Sequence, residues 1–471
     1  MRTLSAQQTA TYANIYGAQS DRFTVEIDTT GAGVWLDLTS LYGFNFVQSI
    51  SYGGSLDSSY DTASIKLHLQ VADAPNYNLS PYATTSFINA TATLISLYKK
   101  IRIRAATTSA GSSIADADLA VVFMGRIASF DITHTDLTLT CMDESWVLEI
   151  RYIEKVNAYS TASTTAVQTV MQSLLTDHFN TKLLRTGGSA PVAADQFTLY
   201  DGAGLTTFVG ALSPAWNLRA YNQQRQPILH ALRVLTDQIG WSLRWQYMEA
   251  ALNKFVLVLE APDRTAAASV LTIPYQKIIQ YGPVRQSMEG LRNVCAIGYQ
   301  NTSGERTLNQ AGTAFVNGEN TTSIDAVTRL WLEIQEDSAS QIDTLGEAKD
   351  MSDRILYDLQ HGLDSFQITI PYLLPVQLRD VITIPADNVI SDTNRVHAVI
   401  GVQHDADYQG AKTTLTLRGT YESSGKFVWT ERQASQPTVR VSGEQFITET
   451  SASPSGANMI MNGDFGDVGR F

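Results

Sequence analysis

Between Arg395 and Gly419 the stretch RVHAVIGVQHDADYQGAKTTLTLRG gathers His397, His404, Asp405 and Asp407, residue types that bind metals or pass protons. Spacing argues against both. Side chains in a regular strand alternate faces, so His397 and His404, an odd number of residues apart, point opposite ways unless a bulge lies between them. With Val396, Ala398, Ile400 and Val402 as the inward face, His397 faces outward and Asp405 and Asp407 sit in a turn. The expectation is a solvated hairpin and no metal site.

The carboxylates are no better paired. A glycan hydrolase needs an acid and a base at a fixed separation. Glu26 and Asp28 share a strand face, Asp143 and Glu144 are adjacent and diverge, and Glu333, Glu336 and Asp337 form an acidic patch. Charges on strand edges already serve to block aggregation. The sequence holds no GxSxG elbow, HExxH pair or GxxxxGK[ST] loop. SYGGSLDS has paired glycines with no helix behind them and reads as a turn. In KKIRIR, Lys100, Arg102 and Arg104 share one strand face, placed to meet acids of a neighbouring subunit. Cys141 in LTLTC and Cys295 in NVCAIGY read as buried free thiols, without zinc spacing. No enzyme activity, cofactor or metal is expected.

The elements carrying these residues fall into blocks. From Arg22 to Ile150, FTVEI, SIKLHLQV, KKIRIRA, AVVFMGRIASFDI and DLTLTCMD alternate or are rich in β-branched residues, which predicts a small antiparallel barrel or sandwich. Helical spacing follows at Val167, Val170, Met171, Leu174 and Leu175, with His178 at the helix end, where a protonated imidazole suits the dipole. A second helix opens at Pro227, buries Ile228, Leu229, Leu232, Leu235 and Ile239, and stops at Gly240. WSLRWQY and KFVLVLEA then form a hairpin with Trp241, Leu243 and Trp245 on one face. A third helix is predicted over Thr344 to Gln360, before FQITIPY, DVITIPA, RVHAVIGVQHD and KTTLTLRG. After Tyr421 the Ser, Thr, Pro and Gly content marks a linker.

One design occurs twice. KKIRIRAA followed by VVFMGRIASFDITHTDLTLTCMD has the pattern of RDVITIPA followed by RVHAVIGVQHDADYQGAKTTLTLRG, with Gly125 and Gly401 in the long strands. The predicted fold is mainly β with an α+β insertion: a first β-barrel over 1–155, an α+β module over 156–287, a second barrel with a helix over 288–425, and a flexible C-terminal arm over 426–471. At 471 residues, several domains are expected. A net charge of −13 opposes wrapping nucleic acid but suits a surface that DNA passes without sticking. The first residues lack the apolar core of a secretory signal, and no later run is apolar enough to span a membrane. The sequons at Asn78, Asn89, Asn301 and Asn320 therefore carry no expectation of glycosylation.

The order of IRIRA, VVFMGRIASFDI and LTLTCMD, then QPILHALRVLTDQIGWSLRW, RNVCAIGYQ, and finally LPVQLRDVITIPA, RVHAVIGVQHD and TTLTLRG, resembles the hub proteins of tailed-bacteriophage tail tips and baseplates. The resemblance covers about Arg22 to Tyr421. It implies a structural protein of the virion tail. Three chains, each with two similar barrels, would form a pseudo-sixfold ring joining the hexameric tail tube to a threefold tip and passing DNA without sequence-specific contacts. It also implies contacts with the tail tube or distal tail protein and, through the C-terminal arm ending ANMIMNGDFGDVGRF, with fibre or tip proteins. Arg102, Arg104, Val122, Gly125, Val396, Ile400, Leu415 and Leu417 are the candidates for barrel and ring-interface positions. The alternative is a glycan-binding or glycan-degrading fibre or baseplate protein, whose groove would display Trp216, Tyr221, Trp241 and Trp245.

Overall fold

The computed structural model describes residues 19–30, 33–38, 47–56, 60–68, 95–110, 112–133, 135–154, 158–160, 165–181, 191, 195–201, 217–218, 221–223, 225–239, 241–248, 254–260, 269, 271–284, 291–300, 306–308, 328–335, 346, 352, 356, 365–373, 376–386 and 394–418. The protein is mainly β. Its first seven strands are β1 (Gln19–Asp28), β2 (Trp35–Asp37), β3 (Val47–Ser55), β4 (Thr62–His68), β5 (Lys100–Ser109), β6 (Ala120–Ile132) and β7 (Asp136–Asp143). Period-two alternation explains their faces: in β5, Ile101, Ile103 and Ala105 are buried between half-buried Arg102 and Arg104, and in β7 Leu137, Leu139 and Cys141 are buried. These side chains meet Val25, Ile27, Ile65 and Leu67 in one core. Each fully buried Ile or Leu is worth roughly 1.5–3 kcal/mol.

The chain then turns helical. α1 (Trp146–Ile150), α2 (Val167–Leu175) and α3 (Ile228–Ile239) pack with β8 (Leu199–Asp201), β9 (Ser242–Met248) and β10 (Lys254–Glu260). The expected stripes are buried at Val167, Val170, Met171, Leu174 and Leu175 in α2 and at Ile228, Leu229, Leu232 and Leu235 in α3, while the Ile239 side chain lies outside the described residues. Pro227 stands immediately before α3, where its missing N–H is harmless; Gly240 lies outside the described residues. α2 runs on into a π-helical turn, Thr176–Asn180, which folds His178 under the structure at 3% exposure. The histidine expected at the helix end as a protonated imidazole facing the dipole is thus buried.

The strands that follow β10 are β11 (Leu271–Thr272), β12 (Gln280–Tyr281), β13 (Val294–Gln300), β14 (Arg306–Leu308), β15 (Trp331–Gln335), β16 (Phe366–Pro371), β17 (Val381–Ile384), β18 (Arg395–Asp407) and β19 (Gly410–Arg418). Packing departs from the division expected at residue 287. β11 pairs with β17 and β12 with β16, on the far side of that line. β13, β14 and β15 instead form their own sheet, and Cys295 and Leu356 join the helical core. Of the third predicted helix, Gly346, Ser352 and Leu356 are described, and all three are helical.

The halves share one sheet. Its order is β12-β16-β19-β18-β3-β4-β7-β6-β5-β1-β2, with β17 beside β18 and β11 beside β17. β18 makes the joint by changing partner along one edge: Arg395–Ala398 pair with β17, and Gly401–Asp407 pair with β3. A register shift between Val399 and Gly401 sits at the changeover. Such an extra residue bends the strand and lets it leave one surface for another. SYGGS is therefore not a turn but the strand that receives β18. Gly53 is needed there for close approach, because a Cβ on it would overlap Val402 O and come within 2.9 Å of Gln403 Cα. The repeated design is present as two three-strand meanders, β5-β6-β7 and β17-β18-β19. Its glycines are not register equivalents: Gly125 faces Asp143, while Gly401 faces Thr416. Among the described strands, neither half has a hydrogen-bonded closing pair.

Candidate assembly surfaces

β1 and β5 pair so that Glu26 lies opposite Arg102 and Thr24 opposite Arg104. Lys100, Arg102 and Arg104 do share a face, but their acids belong to the same chain. Arg102 Nε donates to Glu26 Oε2, Arg104 Nη1 donates to Glu26 Oε1 at 3.1 Å, and Lys100 pairs with Asp195. Arg104 also donates to the carbonyls of Leu119 and Asp116, and the Arg102 guanidinium lies 4.3 Å from the Trp35 ring centre. Strand register, which was not visible in the sequence, replaces the neighbouring subunit as the source of acid. Glu26 is 5% exposed, so the pair of arginines locks two adjacent strands in register rather than waiting for a partner.

Val122 is a core residue, and Gly125 lets β7 approach closely, since a Cβ there would press into the Met142 carbonyl. Beside it, Asp143 is buried and accepts from Asp61 N at 2.6 Å, Ser145 N at 2.7 Å and Ser145 Oγ at 2.5 Å. Burial and the neighbouring Asp61 carboxylate push Asp143 up to about 8, against those donors, which favour the anion. Glu144 points elsewhere and accepts from Arg126 Nε at 3.1 Å. The two carboxylates diverge as expected and make no acid–base pair. Glu26 and Asp28 divide similarly: Asp28 accepts from the backbone of Thr30 and Gly33, closing a turn.

The segment from Arg395 carries the largest correction. The bulge at Val399–Gly401 inverts the parity of β18, so His397, Val399, Val402 and His404 all lie inside, at 1%, 0%, 7% and 5% exposure. Val396 is half-buried, and Ala398 and Ile400 form a separate cluster with Leu56 on the other face. Leu415 and Leu417 are fully buried in the second core, as expected. His397 meets the Phe366 ring edge-on at 5.0 Å, with neither ring nitrogen hydrogen-bonded among the described residues. His404 lies between Tyr52 and Tyr372 and bonds Thr413 Oγ1 at 2.9 Å. Thr413 Oγ1 also accepts from Leu373 N at 2.9 Å. Tyr52 and Tyr372 join hydroxyls at 2.6 Å, closing a polar seam between the halves.

Burial, and then the Arg395 charge, push His397 down to about 3. A depressed histidine contributes stability that is present above its unfolded value near 6.5 and lost as pH falls towards 3. Below about pH 6.5 the loss is about 1.4 kcal/mol per pH unit. Asp143 and Asp21, both raised, act with the opposite sign, so a difference measurement is required. His397→Leu is expected to lose less stability than the parent chain between pH 7 and pH 5, measured by urea unfolding at each pH.

Of the aromatic residues expected in a glycan groove, the two whose side chains are described belong to the helical core. Trp241 is 5% exposed in the helical core, and Trp245 packs against it, stacked on Phe255 at 5.9 Å and tilted to Phe197 at 5.6 Å. Trp216 and the Tyr221 side chain lie outside the described residues. Trp241→Ala is expected to cost about 3–5 kcal/mol in chemical unfolding, the effect of emptying a core site.

Cys141 and Cys295 are free and buried, and burial holds the Cys141 thiol far above its usual range. Among the described residues, no group of three or more His, Cys, Asp or Glu side chains is placed to hold a metal, and no helix is long and apolar enough to cross a membrane. Sequence reasoning missed one link altogether. Arg379, at φ 73° and 3% exposure, donates to Ser242 Oγ at 2.7 Å and meets Glu260 at 2.8 Å, tying the second half to the helical module. Holding a non-glycine residue in that conformation costs about 1–3 kcal/mol.

No protein-family model matches the sequence, and no curated protein matches it. Solved structures do. The tail protein of Neisseria meningitidis MC58 superposes with TM-score 0.53 at 11% identity, over 85% of this chain and 97% of its own. The 43 kDa tail protein of prophage MuSo2 from Shewanella oneidensis superposes with TM-score 0.51 at 10% identity, over 86% of this chain and all of its own. The likeness spans the joined sheet and the helical module together rather than one common hairpin. The chain has the fold of these tail proteins.

Proposed function

We propose that this chain is a non-enzymatic structural hub of a bacteriophage tail tip or baseplate. Three copies form a pseudo-sixfold ring that joins the hexameric tail tube to a threefold tip. The observation that carries the reading is the repeated meander: β5-β6-β7 and β17-β18-β19 lie in one sheet, so one chain offers two similar β units. Three such chains supply six. The net charge of −13 supports a channel that passes DNA without holding it. In this reading the helical module faces outward towards distal tail proteins. The C-terminal arm, beyond the described residues, docks on fibre or tip proteins and orders on binding.

A ring built head to tail closes only if each copy is turned correctly relative to the last. Light scattering on the purified chain should therefore give about three times its 51.6 kDa mass. Monomers persisting at all concentrations would remove the proposal.

A further inference from the structure

A cleft of about 710 Å³ opens between the start of β1, the start of β3 and the tip of the β18–β19 hairpin. Its walls differ in kind. β1 contributes alternate residues, Gln19, Asp21 and Phe23, whereas β3 contributes the consecutive run from Val47 to Ile50 and so stands edge-on. β1 pairs with β5 along one edge from Gln19 to Ile27, but on its other edge β2 reaches only Glu26–Asp28. No described strand pairs with that second edge from Gln19 to Thr24. An extended residue fills ~3.3 Å along a strand, ~4.8 Å across it and ~10 Å between faces, so the cleft holds roughly four or five residues of chain. The cleft has the volume of a short missing strand.

Its charge favours one class of occupant. Lys66 at the rim is already paired with Asp136 at 3.1 Å. Among the described residues, Asp21 has only neutral partners, Thr107 Oγ1 at 2.7 Å and Gln19 Nε2 at 3.4 Å, and Asp407 accepts only from Gln409 N. The carboxylates are left in excess. We infer that this cleft is a strand-acceptor site, taking an extended segment of a partner protein that adds to the open edge of β1 and sets a basic side chain against Asp21. Backbone bonding would supply most of the affinity and Asp21 the preference. Burial raises Asp21 to about 6, which fits a carboxyl group lacking a counter-ion. The inference stands whether or not three copies form a ring.

The test uses the full chain and a hexapeptide of alternating threonine and valine with one central lysine. Hydrogen exchange and calorimetric titration are the readouts. Binding should protect those amides of Gln19 to Thr24 that point away from β5, should weaken at least tenfold when glutamate replaces the lysine, and should vanish when alternate peptide amides are N-methylated. Asp21→Asn should erase the lysine preference while keeping the protection pattern. Failure to bind, or equal binding of all three peptides, would overturn the inference. So would protection, without peptide, of those Gln19–Thr24 amides that point away from β5: independent of concentration, the chain covers its own cleft; dependent on concentration, a second copy does.

Discussion

Gly53→Val is expected to disconnect the two halves of the molecule. A Cβ at Gly53 meets backbone on the facing strand, Val402 O and Gln403 Cα, and backbone in a paired strand cannot swing aside. Relief requires moving β3 away from β18, whose pairing is the only strand pairing that joins the two halves among the described strands. Overpacking usually costs about 1–3 kcal/mol, and a clash against fixed backbone belongs at or above the top of that range. In a urea titration the parent chain should lose the signals of both halves together, while the variant should lose them at separate midpoints. Gly401→Ala is the control. Its Cβ would meet Thr416 Oγ1 at 3.0 Å, a side-chain atom that can shift, so the cost should be below about 1 kcal/mol and the transition should stay single. Equal effects of the two substitutions would show that close approach at Gly53 does not hold the joint.

Glu26→Gln is expected to produce the largest loss from a change of one functional group. Glu26 is 5% exposed and serves both Arg102 and Arg104, whose side chains are 22% and 21% exposed. An amide of the same shape retains one acceptor oxygen but leaves two guanidinium groups without a carboxylate. Breaking a buried ion pair by removing one partner costs about 3–5 kcal/mol, and the partial exposure of the arginines places this case near 3. Because the acid is buried, the loss should persist in 0.5 M salt, where an exposed pair would already be screened. Arg102→Lys should cost less, since a lysine keeps the charge but not the planar contact with Trp35. A change below about 0.5 kcal/mol for Glu26→Gln would mean the cluster is a surface feature available to a neighbouring chain.

These two cases also mark how far the sequence could be read. Element type was legible wherever a period was clean: Ile101, Ile103 and Ala105 in β5, Val167 to Leu175 in α2, and Trp241 with Leu243 before β10 all fall as periodicity predicts. The repeated pattern of Lys100–Asp143 and Arg379–Gly419 likewise corresponds to two meanders of the same strand order. What failed depends on register and on single-residue insertions. One extra residue at Val399–Gly401 turned His397 inward and exchanged the faces of Val396, Ala398 and Ile400, although the alternation rule was correctly applied. Glu26 came opposite Arg102 through the pairing of two strands more than seventy residues apart, which no local pattern encodes. The paired glycines of SYGGS did carry a signal. Close backbone approach and a turn use the same residue, and only the facing strand decides between them.

A reconstruction of the purified chain by electron cryomicroscopy tests the proposed hub most directly. The expected particle is a threefold ring around a channel, with the β1–β7 half and the β16–β19 half of each chain alternating in six similar positions. Isolated monomers, twofold dimers, or a ring in which the two halves lie at unequal radii would contradict it.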